Sequence, residues 1–359
     1  MSKSGISPGA PHVYVVVLNW NGWQHTIECL ESAFQLKYPS FTVIVCDNGS
    51  TDDSLPRLRS WFAGQLEASV VGNPLSMPLR TVRAAIPHFE LEGRAAERGS
   101  VRHDDAARAV LIDIGENRGF AGGNNVALRY LLTRHAGGYV WLLNNDMVVA
   151  PDSLDCLMQV ASDTRIGGVG GTLLEYASPN VIQAAAGGRF VFWQGLSKLA
   201  AAGEARSSHG GTAADIDYIS MGCLLVPLDA VRRVGLIDER YFMYGEDVDY
   251  SLRLRAAGYR LGYAPAAEVW HKGSASSVRR SAGHDYNVLR SALLLVDKFH
   301  PRLLPLTIVY LLYRSVLPKI VRGQWDRLGV VMSAFRDFMR EPRLGVPESQ
   351  ASAIRSAGP

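Results

Sequence analysis

Three clusters of amide, hydroxyl and carboxyl side chains follow apolar, β-branched runs of the chain. The clusters are NWNG at 19–22, CDNGSTDD at 46–53 and NNDM at 144–147. In an open α/β sheet, ligands bind beyond the carboxyl ends of the strands. Asn and Asp also form ordinary turns and caps, so a single cluster of this kind indicates a turn. Three of them at one predicted sheet edge favour a binding site.

A carboxylate and an imidazole form a candidate metal site. Asp146 lies within the NNDM cluster, and His271 comes directly after a predicted strand. Oxygen and imidazole ligands suit Mg²⁺ or Mn²⁺, which bind through few protein groups together with waters and substrate phosphates. Such a metal would neutralise a leaving diphosphate. A single histidine is more often structural, so its role depends on the groups around it.

Three acids open a predicted helix that ends at Gly258: Glu246, Asp247 and Asp249. One acid is enough to stabilise the positive end of a helix. Three within four residues repel one another, so capping alone does not account for them. A carboxylate presented in a polar cleft is what a general base for a hydroxyl requires.

A glycine-rich turn, GENRGFAGGNNVAL at 115–128, precedes another predicted helix and contains Arg118. Backbone N–H groups and a guanidinium at such a place suit a phosphate-bearing ligand. The pattern is neither a dinucleotide-binding GxGxxG in the first strand-turn-helix unit nor a P-loop. The alternative interpretation is a helix start with closely packed glycines.

Alternating strands and helices must position these clusters. Strands are predicted at 13–19, 41–47, 109–114 and 139–144, and later at YISMGCLLVP and YRLGYAP. Helices are predicted from Trp23 to about Leu36, after the capping residues Ser50 and Asp52, near 121–134, and over EDVDYSLRLRAAG. This alternation indicates a parallel sheet with helices on its faces. Two weakly patterned stretches, 64–108 and about 198–216, are predicted to be a surface insertion and a loop.

The composition excludes several classes of protein. A net charge of +3 in 359 residues gives no argument for a nucleic-acid partner. Four cysteines without a CxxC pair suit buried thiols in a reducing cytosol. The N-terminus has no apolar core of signal-peptide length. The apolar segment 303–321 is interrupted by Arg314 and by prolines, so it either packs as a buried helix or lies on a membrane surface.

The motifs resemble the inverting family 2 glycosyltransferases of GT-A fold, and within them a bacterial rhamnosyltransferase-like group. The matching pieces are VVVLNWNG, VIVCDNGSTDDS, ENRGFAGGNN, WLLNNDMVV, FMYGEDVDYSLRLRAAGYRLGYAPAAEVWHKGSAS and, less closely, YNVLRS. They cover most of residues 13–291. The resemblance implies an α/β fold with a mostly parallel Rossmann-like central sheet flanked by helices, followed by a C-terminal helical extension.

The resemblance also implies roles for individual residues. Asn144, Asn145 and Asp146 stand at the DxD-type metal motif, with Asp146 as the main metal-facing carboxylate and His271 as a second ligand. Asp247 falls at the catalytic base, and Glu246 beside it would orient the acceptor or the donor. The residues expected to bind the donor are Asn19, Asn21, Asp47, Asn48, Arg118, Gly119, Asn124, Asn144 and Asn145.

On the acceptor side, the family's YxxRN pattern appears as YNVLRS, with Ser291 in place of Asn. Tyr286 and Arg290 are the candidates there. Arg290 would either meet an acidic acceptor carrier or pair with an acid of the core.

The implied activity is the inverting transfer of a sugar, rhamnose being one candidate, from a dTDP- or UDP-sugar. The acceptor would be a hydroxyl of a glycan or of a polyprenyl-diphosphate-linked carrier in cell-surface polysaccharide synthesis, with Mg²⁺ or Mn²⁺ as cofactor. The expected location is the cytoplasm, with peripheral association at the inner membrane. Two alternatives remain: a nucleotidyltransferase, although LNWNGWQHT lacks its glycine-rich basic loop, and a homologue that binds nucleotide sugars without catalysis.

The predicted division of the chain has four parts. They are a disordered lead at 1–12, the glycosyltransferase domain at 13–283, a helical region at 284–345 and a disordered tail at 346–359.

Overall fold

A computed structural model describes residues 9–66, 74, 84–99, 107–134, 137–208, 216–273 and 282–341. Its strands are β1 (Val13–Asn19), β2 (Phe41–Asp47), β3 (His88–Glu92), β4 (Ala109–Asp113), β5 (Tyr139–Asn144), β6 (Met147–Val149), β7 (Ile166–Glu175), β8 (Ile182–Ala185), β9 (Gly187–Val191), β10 (Leu196–Leu199), β11 (Tyr218–Ile219), β12 (Cys223–Pro227) and β13 (Arg260–His271). Its helices are α1 (Trp23–Ala33), α2 (Ser54–Phe62), α3 (Gly93–Glu97), α4 (Gly119–Arg134), α5 (Ser153–Ala161), α6 (Leu228–Val234), α7 (Glu246–Ala256), α8 (Ala282–Phe299), α9 (Leu304–Val321) and α10 (Trp325–Arg340).

The main sheet has the strand order β3-β4-β2-β1-β5-β12-β7-β13-β6. The strands from β3 to β5 are parallel, and β7 and β13 are also parallel to each other. In β1, β2 and β4, apolar and largely β-branched residues are buried on both faces, as parallel strands covered by helices require. The predicted α/β fold with its mostly parallel central sheet is confirmed.

The strand register brings the polar clusters to one edge. Asn19 lies opposite Asp47 in the β1–β2 pair, and Leu18 lies opposite Asn144 in the β1–β5 pair. At the far side, β13 runs antiparallel to β6, and His271 pairs with Met147. The turn that carries Asn145 and Asp146 therefore lies between the carboxyl ends of the parallel strands and the end of β13.

The C-terminal helices share a hydrophobic core with α7. Val248 and Leu252 of α7 pack in one cluster with Leu293 of α8, Leu311 of α9 and Phe338 of α10. Two other clusters cover the two faces of the main sheet. The helical extension is thus continuous in its packing with the α/β part of the chain.

The interpretation of 64–108 as a surface insertion was wrong in part. Its described residues include β3, which pairs with β4 and extends the main sheet, and α3, which packs on α4. Both elements are five residues long, too short to show a clear hydrophobic period. Residues 67–73, 75–83 and 100–106 lie outside the described residues.

Three other boundaries also differ from the prediction. YISMGCLLVP forms two strands, β11 and β12, and the predicted loop at 198–216 begins with the end of β10 and contains a 3₁₀ turn at Arg206–Ser208. β13 continues beyond Pro265 through an irregular pairing between Ala264 and Glu268, so that His271 is its last residue. A β-bulge tolerates the proline that the sequence suggested as a strand end.

The described residues begin before the predicted boundary at residue 13, and the His12 carbonyl accepts a hydrogen bond from the Tyr139 N–H at 2.9 Å. The rest of the predicted lead, 1–8, and the predicted tail, 346–359, lie outside the described residues. All four cysteines are free thiols, and Cys29, Cys46 and Cys223 are buried, as the sequence indicated.

Candidate active site

Asp47 and Asn19 form one buried network at the ends of β2 and β1. The Asn19 amide donates to Asp47 Oδ1 at 2.6 Å, and the Ser50 hydroxyl donates to the same oxygen at 2.7 Å. The Ser50 backbone N–H donates to Asp47 Oδ2 at 3.0 Å. These bonds fix the carboxylate and explain why both polar residues tolerate complete burial.

Asn21 organises the turn that follows Asp47. Its backbone is left-handed, with φ of 49°, and its side-chain oxygen accepts the Thr51 N–H at 2.7 Å. Ser50 bonds to Asp47 and does not cap α2, so its predicted capping role was wrong. The N-cap position of α2 is Asp53, and Asp52 accepts the Ser54 N–H at 2.9 Å.

Thr26 of α1 joins the ends of β1 and β5, a role the sequence analysis missed. Its hydroxyl donates to Asn19 Oδ1 at 2.7 Å and accepts from the Asn145 amide at 3.0 Å. Trp20, next to Asn19, has an exposed fraction of 51% at the same edge. No local pattern marks Thr26, because its partners lie at the ends of two separate strands.

The glycine-rich turn contacts Asn48, one of the predicted donor-binding residues. The Asn48 amide donates to the Gly119 carbonyl, and its side-chain oxygen accepts the Arg118 N–H, both at 3.1 Å. The Arg118 guanidinium lies against two acids, Glu116 at 3.0 Å and Glu97 at 3.2 Å. Asn124 is buried and donates to the carbonyl of Phe120 at 2.9 Å. Asn48 and Gly119 thus meet, whereas Arg118 points its charge at α3.

Gly119 also receives the loop that leads to the predicted base. Its φ is 70°, and an added Cβ would lie 2.6 Å from the Phe242 carbonyl oxygen. The Phe120 N–H donates to that same carbonyl at 2.8 Å. Only glycine combines this backbone conformation with so close an approach.

The structure brings Asp146 and His271 together. Asp146 Oδ2 lies 3.2 Å from His271 Nε2, and the other ring nitrogen, Nδ1, lies 2.7 Å from the Gln183 side-chain oxygen. In the neutral His271 ring, a hydrogen on Nδ1 that bonds to Gln183 leaves Nε2 without a hydrogen. The lone pair of Nε2 then faces the Asp146 carboxylate. This orientation by an outer partner is typical of a metal-ligating histidine, so the two residues fit a divalent cation.

The site offers few protein ligands. Over the part of the chain that the structure describes, no group of three or more His, Cys, Asp or Glu side chains is arranged to hold a metal. Asn144 is held by its backbone, whose N–H donates to the Gly222 carbonyl at 2.9 Å. A cation at Asp146 and His271 would therefore depend on waters and on ligand phosphates.

A buried charged cluster that the sequence analysis missed lies beside this pair. The Lys272 ammonium contacts Glu28 and lies 3.0 Å from His25 Nδ1, while the Tyr176 hydroxyl donates to Glu28 at 2.6 Å. The Lys272 backbone N–H donates to the Asp146 carbonyl at 3.0 Å. Burial, and secondarily Lys272, lowers the pKa of His25. The cluster ties the end of β13 to α1.

Asp247 stands in the first turn of α7, after Gly245, which has a left-handed φ of 88°. It is partly exposed, and it accepts the Val248 N–H at 2.8 Å. Burial of the carboxyl in the surrounding protein raises its pKa to about 6. An acid with this pKa is ionised at neutral pH and is a stronger proton acceptor than an ordinary aspartate.

The two acids beside Asp247 are in different environments. Glu246 is 7% exposed, no described residue gives its Oε2 a hydrogen bond, and burial raises its pKa well above the usual value. Asp249 is fully buried between Arg253 at 2.7 Å and Lys298 at 2.5 Å. Glu246 is therefore a buried acid whose ionisation is opposed by burial, Asp249 is held in two ion pairs, and Asp247 has the environment of a base.

The predicted acceptor-side residues link α8 to the end of the described chain. The Arg290 guanidinium lies 2.5 Å from Glu341 and donates to the Arg240 carbonyl at 2.7 Å. The Tyr286 hydroxyl donates to Asp337 of α10 at 3.0 Å. Of the two roles left open for Arg290, these contacts correspond to pairing with an acid of the protein.

The sequence profile described as "Glycosyltransferase like family 2" matches residues 98–284, and a second, "Glycosyl transferase family 2", matches residues 14–74. The first alone covers half of the chain. This chain belongs to glycosyltransferase family 2. The nucleotidyltransferase alternative is thereby set aside.

Two curated relatives of the glycosyltransferase are named as rhamnosyltransferases. An N-acetylglucosaminyl-diphospho-decaprenol L-rhamnosyltransferase of Mycobacterium tuberculosis is 28% identical over 281 residues, which cover 75% of this chain and 79% of the relative. Rhamnosyltransferase WbbL of Escherichia coli K12 is 28% identical over 164 residues, covering 43% and 60%. These names agree with the rhamnosyltransferase-like resemblance in the motifs.

Solved structures show the same GT-A fold for the glycosyltransferase. A mannosyltransferase of Pyrobaculum calidifontis, in complex with GDP-Man and Mn²⁺, has a TM-score of 0.50 at 16% identity and covers 98% of this chain and 80% of its own. S. aureus TarS 1-349 in complex with UDP-GlcNAc has a TM-score of 0.51 at 14% identity, covering 96% and 84%.

Proposed function

We propose that this glycosyltransferase moves a sugar from a nucleoside diphosphate to a hydroxyl of a lipid-linked or glycan acceptor, with inversion at the anomeric carbon. The support for the acceptor comes from the relative named as an N-acetylglucosaminyl-diphospho-decaprenol rhamnosyltransferase. Rhamnose is the favoured sugar because two relatives carry that name. The free cysteines are in keeping with a cytoplasmic location.

The observation that carries the proposal is the environment of Asp247. Its carboxylate, with a pKa raised to about 6, takes the proton from the acceptor hydroxyl. The hydroxyl oxygen attacks C1 of the sugar from the face opposite the nucleotide, and the C1–O bond to the diphosphate breaks. A single carboxylate is enough because the diphosphate is already a good leaving group, whereas a glycosidase needs a second acid.

Glu246 has a different part in this scheme. Burial raises the pKa of its carboxyl well above the usual value, so this group favours donating a hydrogen bond to a substrate oxygen over acting as the base. The buried acid beside the base would orient the acceptor or the donor sugar.

The donor would lie along the carboxyl edge of the parallel strands. Asp47, with Asn19, would read the nucleotide base, and the Asn144–Asn145 turn would face the diphosphate. Asn21, Asn48, Gly119 and Asn124 keep their assignment as donor-site residues within this proposal. For Arg118 to reach a phosphate, its guanidinium would have to leave Glu97 and Glu116.

Asp146 and His271 would hold Mg²⁺ or Mn²⁺, which stabilises the charge that builds on the departing diphosphate. The support is the orientation of His271 by Gln183, together with Mn²⁺ in the solved complexes of the Pyrobaculum mannosyltransferase and of GalNAc-T7. The complexes of TarS with UDP-GlcNAc and of GalNAc-T7 with UDP support a pyrimidine donor, dTDP or UDP.

A two-step experiment tests the proposal. A thermal-shift screen of dTDP-rhamnose, UDP-sugars and GDP-mannose with Mn²⁺ identifies the donor, since a ligand of the folded state raises its apparent stability. Transfer of that sugar to N-acetylglucosaminyl-diphospho-polyprenol is then measured for the wild type and for Asp247→Asn.

Asp247→Asn should lower kcat at least about a hundredfold, because the proton acceptor is lost. The rise in melting temperature that the donor causes should stay close to that of the wild type. The exposed residue Asp163, changed to Asn, is the control and should leave kcat unchanged. Normal turnover by Asp247→Asn would remove this residue as base, and donor binding without turnover in the wild type would favour the non-catalytic homologue.

A further inference from the structure

The helix α9 has one face packed on the protein and an opposite face that is apolar and exposed. Leu304, Thr307 and Leu311 are buried, and the Thr307 hydroxyl donates to the Phe192 carbonyl at 3.0 Å. The exposed side chains are Leu306, Val309, Tyr313, Leu317 and Ile320, with exposed fractions of 43% to 67%. At about 100° of rotation per residue, these five lie within an arc of about 80° on the side away from the packed residues.

Two exposed tryptophans accompany this apolar face, one beside the middle of α9 and one just after its end. Trp193, in the turn between β9 and β10, is 42% exposed and packs edge-on against Tyr310 of α9. Trp325, at the start of α10, is 64% exposed. Tryptophan and tyrosine prefer the boundary between lipid head groups and acyl chains, because their rings are apolar and their N–H or O–H groups are polar.

The charges along α9 have one sign, and the nearest exposed acid along the chain is Asp326, beside Trp325. Residues 301–324 contain four basic residues and no acid. Lys319 pairs with Asp285 at 3.1 Å, whereas Arg302, Arg314 and Arg322 are exposed. An apolar stripe bordered by cations complements the anionic surface of a bilayer, and it is a poor match for a second copy of itself.

By length and composition alone, the segment Pro301–Val321 could cross a bilayer. Of the 18 residues tested within it, 17% are buried in the protein. Crossing would require α9 to leave the cluster that it shares with α7, α8 and α10, and would break the Thr307 bond. A helix that keeps these contacts can only lie parallel to the membrane surface.

We infer that α9, with Trp193 and Trp325, docks on an anionic phospholipid surface and lies in its plane. The inference goes beyond the proposed reaction and does not depend on it. It has a consequence for the reaction, because Lys298 of α8 holds Asp249 at 2.5 Å and thereby fixes α7, which carries Asp247, relative to the docked helix. Asp247 would then stay at a fixed position relative to the bilayer.

Vesicle flotation of the full chain, without donor or acceptor, tests the inference. Wild-type protein should float with vesicles of phosphatidylcholine and 30% phosphatidylglycerol and should bind pure phosphatidylcholine much more weakly. The double variant Val309→Ser/Tyr313→Ser should bind the anionic vesicles at least about tenfold more weakly, because it removes apolar area from the docking face. Each of Arg302→Gln, Arg314→Gln and Arg322→Gln should weaken binding about fivefold.

Leu199→Ser is the matched control, since Leu199 is 40% exposed on β10 and lies outside the docking face. It should bind as the wild type does. Circular dichroism and the urea midpoint are measured for every variant to check that the fold is retained. We expect it to be retained because the changed side chains are exposed. Bound wild-type protein should be released by alkaline carbonate, as a peripheral protein is.

Three results would overturn the inference. The first is wild-type protein that stays unbound with anionic vesicles, and the second is unchanged binding by the Val309→Ser/Tyr313→Ser variant. The third is a stable dimer in light scattering that this variant abolishes, which would assign the face to a second copy. If membrane-bound wild-type protein were not released by alkaline carbonate, α9 would span the bilayer and would not lie in its plane.

Discussion

His271 Nε2 lies 3.2 Å from Asp146 Oδ2, and Gln183 holds the other nitrogen of the same ring. The three residues come from the end of β13, the turn after β5, and β8, so no local pattern brings them together. With Asn144 where the related motif often has an acid, Asp146 is the one carboxylate of the NNDM cluster. The metal affinity of the site should therefore depend on the donor.

In isothermal titration calorimetry, Mn²⁺ should bind the apo protein weakly and bind much more tightly when the nucleotide diphosphate is present. Asp146→Ala should remove this donor-dependent binding. Gln183→Ala should weaken it about tenfold, because it frees the orientation of His271 without removing a ligand. Tight binding of Mn²⁺ to the apo protein would contradict the assignment.

The pH dependence of the reaction should report the titration of Asp247. Its folded-state pKa of about 6 lies above the ordinary value of 3.8, so the base becomes protonated as the pH falls through 6. The value of kcat/KM should be constant above pH 7 and should fall about tenfold per unit below pH 6.

Glu246→Gln is the control for this profile. Because burial raises the pKa of Glu246 well above its usual value, replacing this acid by an amide should leave the fall of kcat/KM near pH 6. If kcat/KM of this variant fell only near pH 4, Glu246 would carry a charge in the wild type and would determine the pKa of Asp247.

The Asp249–Lys298 contact should be a large contributor to stability. Asp249→Ala leaves Lys298 and Arg253 in the interior without this partner, and it should lower the free energy of unfolding by about 3–5 kcal/mol in urea titrations. Asp249→Ala/Lys298→Met should cost less than the sum of the two single changes. Lys37→Ala, which removes an exposed ion pair with Asp152, should leave the urea midpoint unchanged.

Gly119→Ala should disturb the active site through the loop that leads to Asp247. The new Cβ would meet the Phe242 carbonyl, and the left-handed backbone adds about 1–2 kcal/mol of strain. Gly115→Ala is the matched control, because Gly115 has φ of 77° and nothing within 4 Å of an added Cβ.

Both variants should lose stability in urea titrations, and only Gly119→Ala should also lose at least about tenfold in kcat/KM. Equal effects of the two changes on kcat/KM would mean that the Gly119–Phe242 contact does not position Asp247.

The sequence by itself determined the strands β1, β2 and β5, the polar clusters at their ends and the acids that open α7. These features depend on periods of two or 3.6 residues and on local turn chemistry, which operate within a few positions of the chain. Together with the family motifs, they were enough to predict the GT-A fold and the catalytic candidates.

The partners of these residues were decided by the tertiary structure. Thr26, Gln183 and Lys272 have no distinguishing local pattern, and they meet Asn19, His271 and Glu28 only because separate elements cross at one edge of the sheet. The direction of the Arg118 guanidinium depends on α3, which the sequence did not reveal. The exposed face of α9 likewise emerges only after its opposite face has packed, because burial is a property of the whole fold.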